Sequence, residues 1–215
     1  FKEDKVVMKL GNPRILIIRL SAIGDVVRAL PILHVRREAL PNARIDWVVE
    51  RLSAAIVEGH PYLDTLHVFE RQKHFWPALQ AFRELCRTIR AEQYDIVLDA
   101  HGILKSGLLM ASSRARRRIG FAPPRAQELS YLLSNRRVRL GKTPMNRVEE
   151  NLQLCHCVTP RVDYPSITIY VPPDVQEHVD RFFEETFDGG KYVLAVHAPV
   201  ERPEKQWPLE YFATL

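Results

Sequence analysis

Cysteine is scarce. The 215 residues include three, Cys86, Cys155 and Cys157, too few for a disulfide framework, which points to a reducing compartment. Nine glycines and fifteen prolines rule out a collagen-like or low-complexity chain. No apolar run reaches the ~18–20 residues of a membrane-spanning helix. Neither G-x-G-x-x-G nor G-x-x-x-x-G-K-[ST] occurs, so neither a dinucleotide fingerprint nor a P-loop is supported. Cys155-His156-Cys157 is no zinc site, because Cys-x-Cys on a helix points its thiols apart and no second pair exists. Trp47, Trp76 and Trp207 are too scattered for a base-stacking platform. With 46% hydrophobic and 27% charged residues, the composition is that of an ordinary globular chain.

Acidic residues are missing from one long stretch. From Ile103 to Arg147 there are eleven basic residues and a single acid, Glu128; of the 31 basic and 26 acidic residues in the whole chain, 20 and 25 lie elsewhere. A segment of one sign attracts anions such as phosphate, carboxylate, nucleic acid or a membrane surface, unless it is only a solvated face.

The apolar runs alternate with helical periodicity. Arg14–Leu20 (RILIIRL) is Ile-rich and nearly continuous, as expected of a strand buried on both faces. Further strands are expected at Ala43–Val49, Leu66–Phe69, Asp95–Ala100, Arg118–Phe121 and Arg137–Leu140. Helices are expected at Val26–Ala39, with Pro31 kinking it or delaying its start, and at Ala54–Glu58, Ile103–Ser112 and Gln127–Leu133. Two more are expected around Phe75–Ile89, where apolar residues recur every three or four positions, and around Val148–Cys155. This is the pattern of βαβ units on a mostly parallel sheet. A strand at Ser166–Tyr170, a helix at Pro172–Phe187 with Val175, Val179, Phe182 and Phe183 inward, a strand at Lys191–Ala198 and a helix opening at Trp207 then begin a second layer. One new strand and half a helix cannot bury themselves. Together with Phe1 in place of Met, this leads to the expectation of a longer natural protein. The expected division is a first domain over 1–165, then a connecting region and the start of a second α/β domain over 166–215.

In an open α/β sheet, ligands sit beyond the carboxyl ends of the strands. Ser21-Ala22-Ile23-Gly24-Asp25 occupies that place after the first strand. Gly24 allows close backbone approach, and Asp25 either caps the first helix or faces a ligand.

Ile15–Leu33 (ILIIRLSAIGDVVRALPIL) resembles the opening of glycosyltransferase family 9, the ADP-heptose:lipopolysaccharide heptosyltransferases. Five further blocks resemble the family in family order: Ala43–Glu50; Gly59-His60-Pro61 with Leu63-Asp64; Tyr94–Ser106 (YDIVLDAHGILKS); Arg118–Phe121; and His197-Ala198 with Lys205-Gln206-Trp207-Pro208. The pattern is nearest to the heptosyltransferase I members, with heptosyltransferase II or another sugar transferase of the family as alternatives. From another class, a basic nucleic-acid-binding α/β module is the rival. The resemblance implies a GT-B type α/β fold of two Rossmann-like domains, with the first holding the acceptor, the second holding the donor, and the site between them.

The implied reaction is inverting transfer of L-glycero-D-manno-heptose from ADP-heptose to Kdo of Kdo2-lipid A. Asp25 would be the base on the acceptor hydroxyl. Lys205 would stabilise the departing diphosphate, with His197 beside it on the donor side. Ser21, Gly24, His101, Gly102 and Lys105 would line the acceptor cleft, Lys105 meeting a carboxylate or phosphate and His101 serving either there or in the scaffold. The family's hydroxyl residues after the second domain's first strand are replaced by Pro199 and Val200. No Asp-x-Asp motif stands where a metal-dependent transferase would need one, so no metal or cofactor is expected besides the donor substrate. Kdo carboxylates, lipid A phosphates and the anionic inner leaflet all match the basic segment in sign. This implies a cytoplasmic enzyme docking reversibly on the inner membrane, with no nucleic acid as partner.

Overall fold

The computed structural model describes residues 11–141, 143–157, 168–187, 193 and 206–212. The chain forms two compact units, Phe1–Tyr170 and Val171–Leu215.

The first unit holds six strands: β1 (Arg14–Ile18), β2 (Arg44–Glu50), β3 (Thr65–Phe69), β4 (Ile96–Asp99), β5 (Arg117–Phe121) and β6 (Arg136–Val138). All pairings are parallel, in the order β3-β2-β1-β4-β5-β6. The order reverses between β1 and β4, the place where doubly wound sheets open a crevice for ligands. Period-2 alternation of β1 supplies both faces. Ile15 and Ile17 enter one core with Trp47, Val49 and Leu98, while Leu16 and Ile18 enter the other with Val48, Val97 and Leu109.

The helix expected over Val26–Ala39 is two, α1 (Ile23–Val27) and α2 (Leu30–Ala39), and Pro31 falls in the first turn of α2, where its missing N–H leaves no broken bond. The short helix expected at Ala54–Glu58 comes earlier, as α3 (Arg51–Ala54), running straight on from β2. Next come α4 (Phe75–Ala91) and α5 (Leu104–Ser112), both as expected. Gln127–Leu133 is not an α-helix: Glu128 and Leu129 take positive φ (51° and 60°) and leave only a 3-10 turn over Ser130–Leu133. α6 (Arg147–His156) starts at a capping box, with Asn146 accepting from Val148 and Glu149 N–H and Glu149 reaching back to Asn146 N.

In the second unit, α7 (Pro173–Phe187) and α8 (Leu209–Phe212) are described. Val175, Val179, Phe182 and Phe183, expected inward, are 38–51% exposed. The strand expected at Lys191–Ala198 lies outside the described residues except for Val193, which is in no strand. Residues 168–170 form no strand, and 166–167 also lie outside. No helix among the described residues is long and apolar enough to cross a membrane.

Candidate functional site

The crevice between β1 and β4 is built from two loops. The first leaves β1 through Arg19 and Leu20 and turns at Ser21–Gly24 into α1. The second leaves β4 through Asp99 and Ala100 and turns at His101-Gly102 into α5. Leu20 N–H donates to His101 Nδ1 (3.2 Å), which ties the loops together.

Asp25 lies in the first turn of α1 with its side chain 35% exposed. Arg19 Nη2 is 2.5 Å from Asp25 Oδ2, and Arg28 Nη1 is 3.1 Å from Oδ1. Partial burial pushes the Asp25 carboxyl up, but the two guanidiniums outweigh it and hold the group below the ordinary carboxylate range. The resting form is the carboxylate. Gly24 is exposed, and a Cβ there would meet nothing within 4 Å, so the room at this turn is open to a ligand.

Asp99, fully buried, organises the second loop. Its Oδ1 accepts from His101 N and Gly102 N (both 3.0 Å), and Ser106 Oγ is 2.9 Å from Oδ2. Burial raises the Asp99 pKa, against these three donors and Arg19. Gly102 has φ +79°, which favours glycine, and its carbonyl accepts from Gln127 N at 2.8 Å. Burial, then the Arg19 and Arg125 charges, push His101 down to about 4. Its imidazole is therefore neutral, and since Nδ1 accepts from Leu20, Nε2 carries the proton. One His101 nitrogen thus serves the scaffold and the other remains a donor. Arg125 fastens the same loop through His101 O (3.3 Å) and Glu150 (3.0 Å).

Lys105, on the first turn of α5, is less available than expected. Its Nζ lies 2.8 Å from Glu50, a carboxylate only 8% exposed at the end of β2, and 4.0 Å from the centre of the Phe69 ring. Arg71 is 3.7 Å from the other Glu50 oxygen.

Six of the expected site residues therefore share this end of the sheet: Ser21, Gly24, Asp25, His101, Gly102 and Lys105. Lys205 and His197 lie outside the described residues. The basic segment is not one face. It runs through α5, β5, the 3-10 turn and β6 and so visits both ends of the sheet: Lys105 and Arg125 sit at the carboxyl edge, whereas Arg117 and Arg136 begin β5 and β6 at the amino edge. Sequence reading missed Arg19, Glu50, Asp99 and Arg125. Arg19 had a legible signal, a charge inside an otherwise buried run.

The family model for glycosyltransferase family 9 (heptosyltransferase) matches residues 82–215. Lipopolysaccharide heptosyltransferase 1 of Escherichia coli (strain K12) is 30% identical over 217 residues, covering 94% of this chain and 63% of the relative. The crystal structure of the glycosyl transferase family 9 from Veillonella parvula superposes with a TM-score of 0.77 at 21% identity, over 94% of this chain and 57% of that one. E. coli heptosyltransferase WaaC with ADP-2-deoxy-2-fluoro heptose superposes with a TM-score of 0.67 at 25% identity, over 94% and 64%. The chain spans less than two thirds of the length of these proteins.

Proposed function

The chain belongs to glycosyltransferase family 9, and from that premise we propose that it carries the acceptor domain and the beginning of the donor domain of an inverting heptosyltransferase acting on lipopolysaccharide inner core. Its fold is α/β of the GT-B type. The heptosyltransferase 1 name of the E. coli relative and the ADP-heptose analogue on WaaC support ADP-heptose as donor and the heptosyltransferase I reading over heptosyltransferase II. The acceptor is Kdo of Kdo2-lipid A.

The observation that carries the reading is the partly exposed Asp25 carboxylate at the switch point of the sheet, paired with a buried arginine. In the proposed step the acceptor hydroxyl oxygen attacks the anomeric carbon of heptose. The bond from that carbon to the diphosphate oxygen breaks, ADP departs, and the hydroxyl proton passes to Asp25. A carboxylate held below its ordinary pKa is a weak base for a free alcohol. The hydroxyl turns acidic as its oxygen bonds to carbon, so late transfer to such a base suffices. Lys205 and His197 take the donor side, where Lys205 offsets the charge growing on the diphosphate. Ser21, Gly24, His101, Gly102 and Lys105 line the acceptor side. His101 offers Nε2–H and Lys105 a cation shared with Glu50.

The displacement needs no metal, so a chelator should leave turnover within about twofold. A lipid-borne anionic acceptor places the enzyme at the cytoplasmic face of the inner membrane, bound reversibly. No nucleic acid is proposed as a partner; the basic segment marks no single face, since Arg117 and Arg136 begin their strands at the other end of the sheet from Lys105 and Arg125, and the membrane reading rests on the acceptor alone.

The test is ADP release by the full-length protein given ADP-heptose and Kdo2-lipid A. Asp25→Ala is expected to lose at least ~10²-fold in turnover. A near-wild-type rate for that variant rejects the base assignment.

A further inference from the structure

Two arginines touch Asp25, and they are not equivalent. Arg28 is 54% exposed and lies three residues along the same chain segment, so its contact is a local surface pair. Arg19 has a side chain 7% exposed. Its backbone is held at both ends: Arg19 N donates to Val48 O (3.3 Å), and Arg19 O accepts from Trp47 Nε1 (3.2 Å). Its guanidinium is held as well, since Nη1 donates to Ala100 O at 2.7 Å. Only Nη2 then reaches the Asp25 carboxylate.

The choice of partner is informative. A fully buried carboxylate, Asp99, lies near enough to Arg19 to act on its charge. Yet Asp99 is satisfied by two backbone N–H groups and Ser106. Arg19 pairs instead with Asp25, the carboxylate that is partly open to solvent, and its Nε, like that of Arg14, is buried with no partner among the described residues. An arginine present only for stability would be a poor choice here: it is desolvated and spent on a group that water could solvate.

We propose that Arg19 is a positioning residue, which fixes the Asp25 carboxylate at the switch point and couples it, through Ala100 O, to the loop that carries His101, Gly102 and Lys105. The proposal rests on Asp25 being the base. It goes further in assigning Arg19 the orientation of that base. The two strand ends then move as one, and a shift of the acceptor loop is felt at Asp25 through a single side chain.

The test uses the full-length enzyme with ADP-heptose and Kdo2-lipid A. Arg19→Met is expected to lower kcat by roughly 10–100-fold, with the acceptor KM within about threefold, because the base is misplaced and not the substrate. The acid limb of the kcat profile should move to higher pH, since the cation that favours the carboxylate is gone. Arg19→Lys, which keeps charge but not the forked reach, should recover part of the rate. Arg19→Met added to Asp25→Asn should cost nothing further, since it acts through Asp25.

Should Arg19→Met fail to fold, Arg19→Lys carries the test by NMR titration of the Asp25 carboxyl carbon, which needs no substrate and is expected to differ from wild type. Wild-type kcat with an unmoved acid limb in Arg19→Met overturns the proposal, as does a loss that adds in full to that of Asp25→Asn. An Asp25 titration in Arg19→Lys identical to wild type does the same. Wild-type turnover by Asp25→Asn alone removes the base reading itself, and the role of Arg19 with it. Loss in Asp25→Asn beside wild-type behaviour in Arg19→Met removes only the latter.

Discussion

The two ends of the parallel sheet use the same residue types to opposite effect. At the amino end, Asp46 is fully buried, with Tyr94 Oη donating to it at 2.6 Å and Arg44 Nε at 3.2 Å. His67 Nε2 lies 2.8 Å from Tyr94 Oη, and Glu92 pairs with both Arg14 and Arg44. Each of these side chains has a partner within the cluster, although Arg14 Nε is buried without one among the described residues. At the carboxyl end, Asp25, Glu50 and Asp99 meet Arg19, Lys105 and main-chain N–H groups, but Asp25 stays one-third exposed beside an open turn. Charge density alone does not separate structure from function here. The difference is whether the network closes on itself.

Substitutions can sharpen or break that contrast. Asp46→Ala removes an acceptor from a closed cluster and should destabilise the fold by about 2–4 kcal/mol in chemical denaturation, while the folded fraction keeps near-wild-type turnover. A loss of turnover with unchanged stability would erase the distinction. Lys105→Met leaves Glu50, among the described residues, with Arg71 at 3.7 Å. It should cost about 1–3 kcal/mol and also raise the acceptor KM, a mixed outcome that suits a residue serving both scaffold and cleft. Gly102→Ala forces a side chain into positive φ and should cost about 1–2 kcal/mol, with the acceptor KM rising as the loop shifts.

The smallest effect concerns acid. His101 titrates at about 4 in the folded state against an ordinary 6.5. Between those values the unfolded chain binds the extra proton, so the stability His101 contributes above pH 6.5 declines as pH falls toward 4. His101→Gln should therefore melt with a shallower dependence on pH over that window. His60 and His67, also lowered by burial, continue to act in both proteins. Parallel melting curves would show that His101 contributes nothing to acid sensitivity.

The amino-acid sequence carried the sheet well because buried parallel strands need continuous apolar runs, and RILIIRL and DIVLDA could be little else. It misplaced the short elements. Arg51–Ala54 and the 3-10 turn at Ser130–Leu133 are set by the strands around them and by positive φ at Glu128 and Leu129, and residue preference does not report either. Asp25 was legible from its place after β1. Its partner Arg19 lay six residues upstream in plain view, yet the direction of its side chain depends on Ala100, which adjoins it only after β1 and β4 pair. The eleven-residue basic count misled for a related reason: linear density says nothing about which end of a strand each cation occupies.

The central claim, that the carboxyl end of the sheet works while the amino end holds, is tested most directly by measuring turnover and melting temperature for Asp25→Asn and Asp46→Asn in the full-length protein. The account predicts a crossed result. Asp25→Asn should lose at least ~10²-fold in kcat and melt only a little earlier, since its amide oxygen still accepts from Arg19, whereas Asp46→Asn should melt much earlier with kcat close to wild type. Full turnover by Asp25→Asn, or parallel behaviour of the two variants, would contradict it.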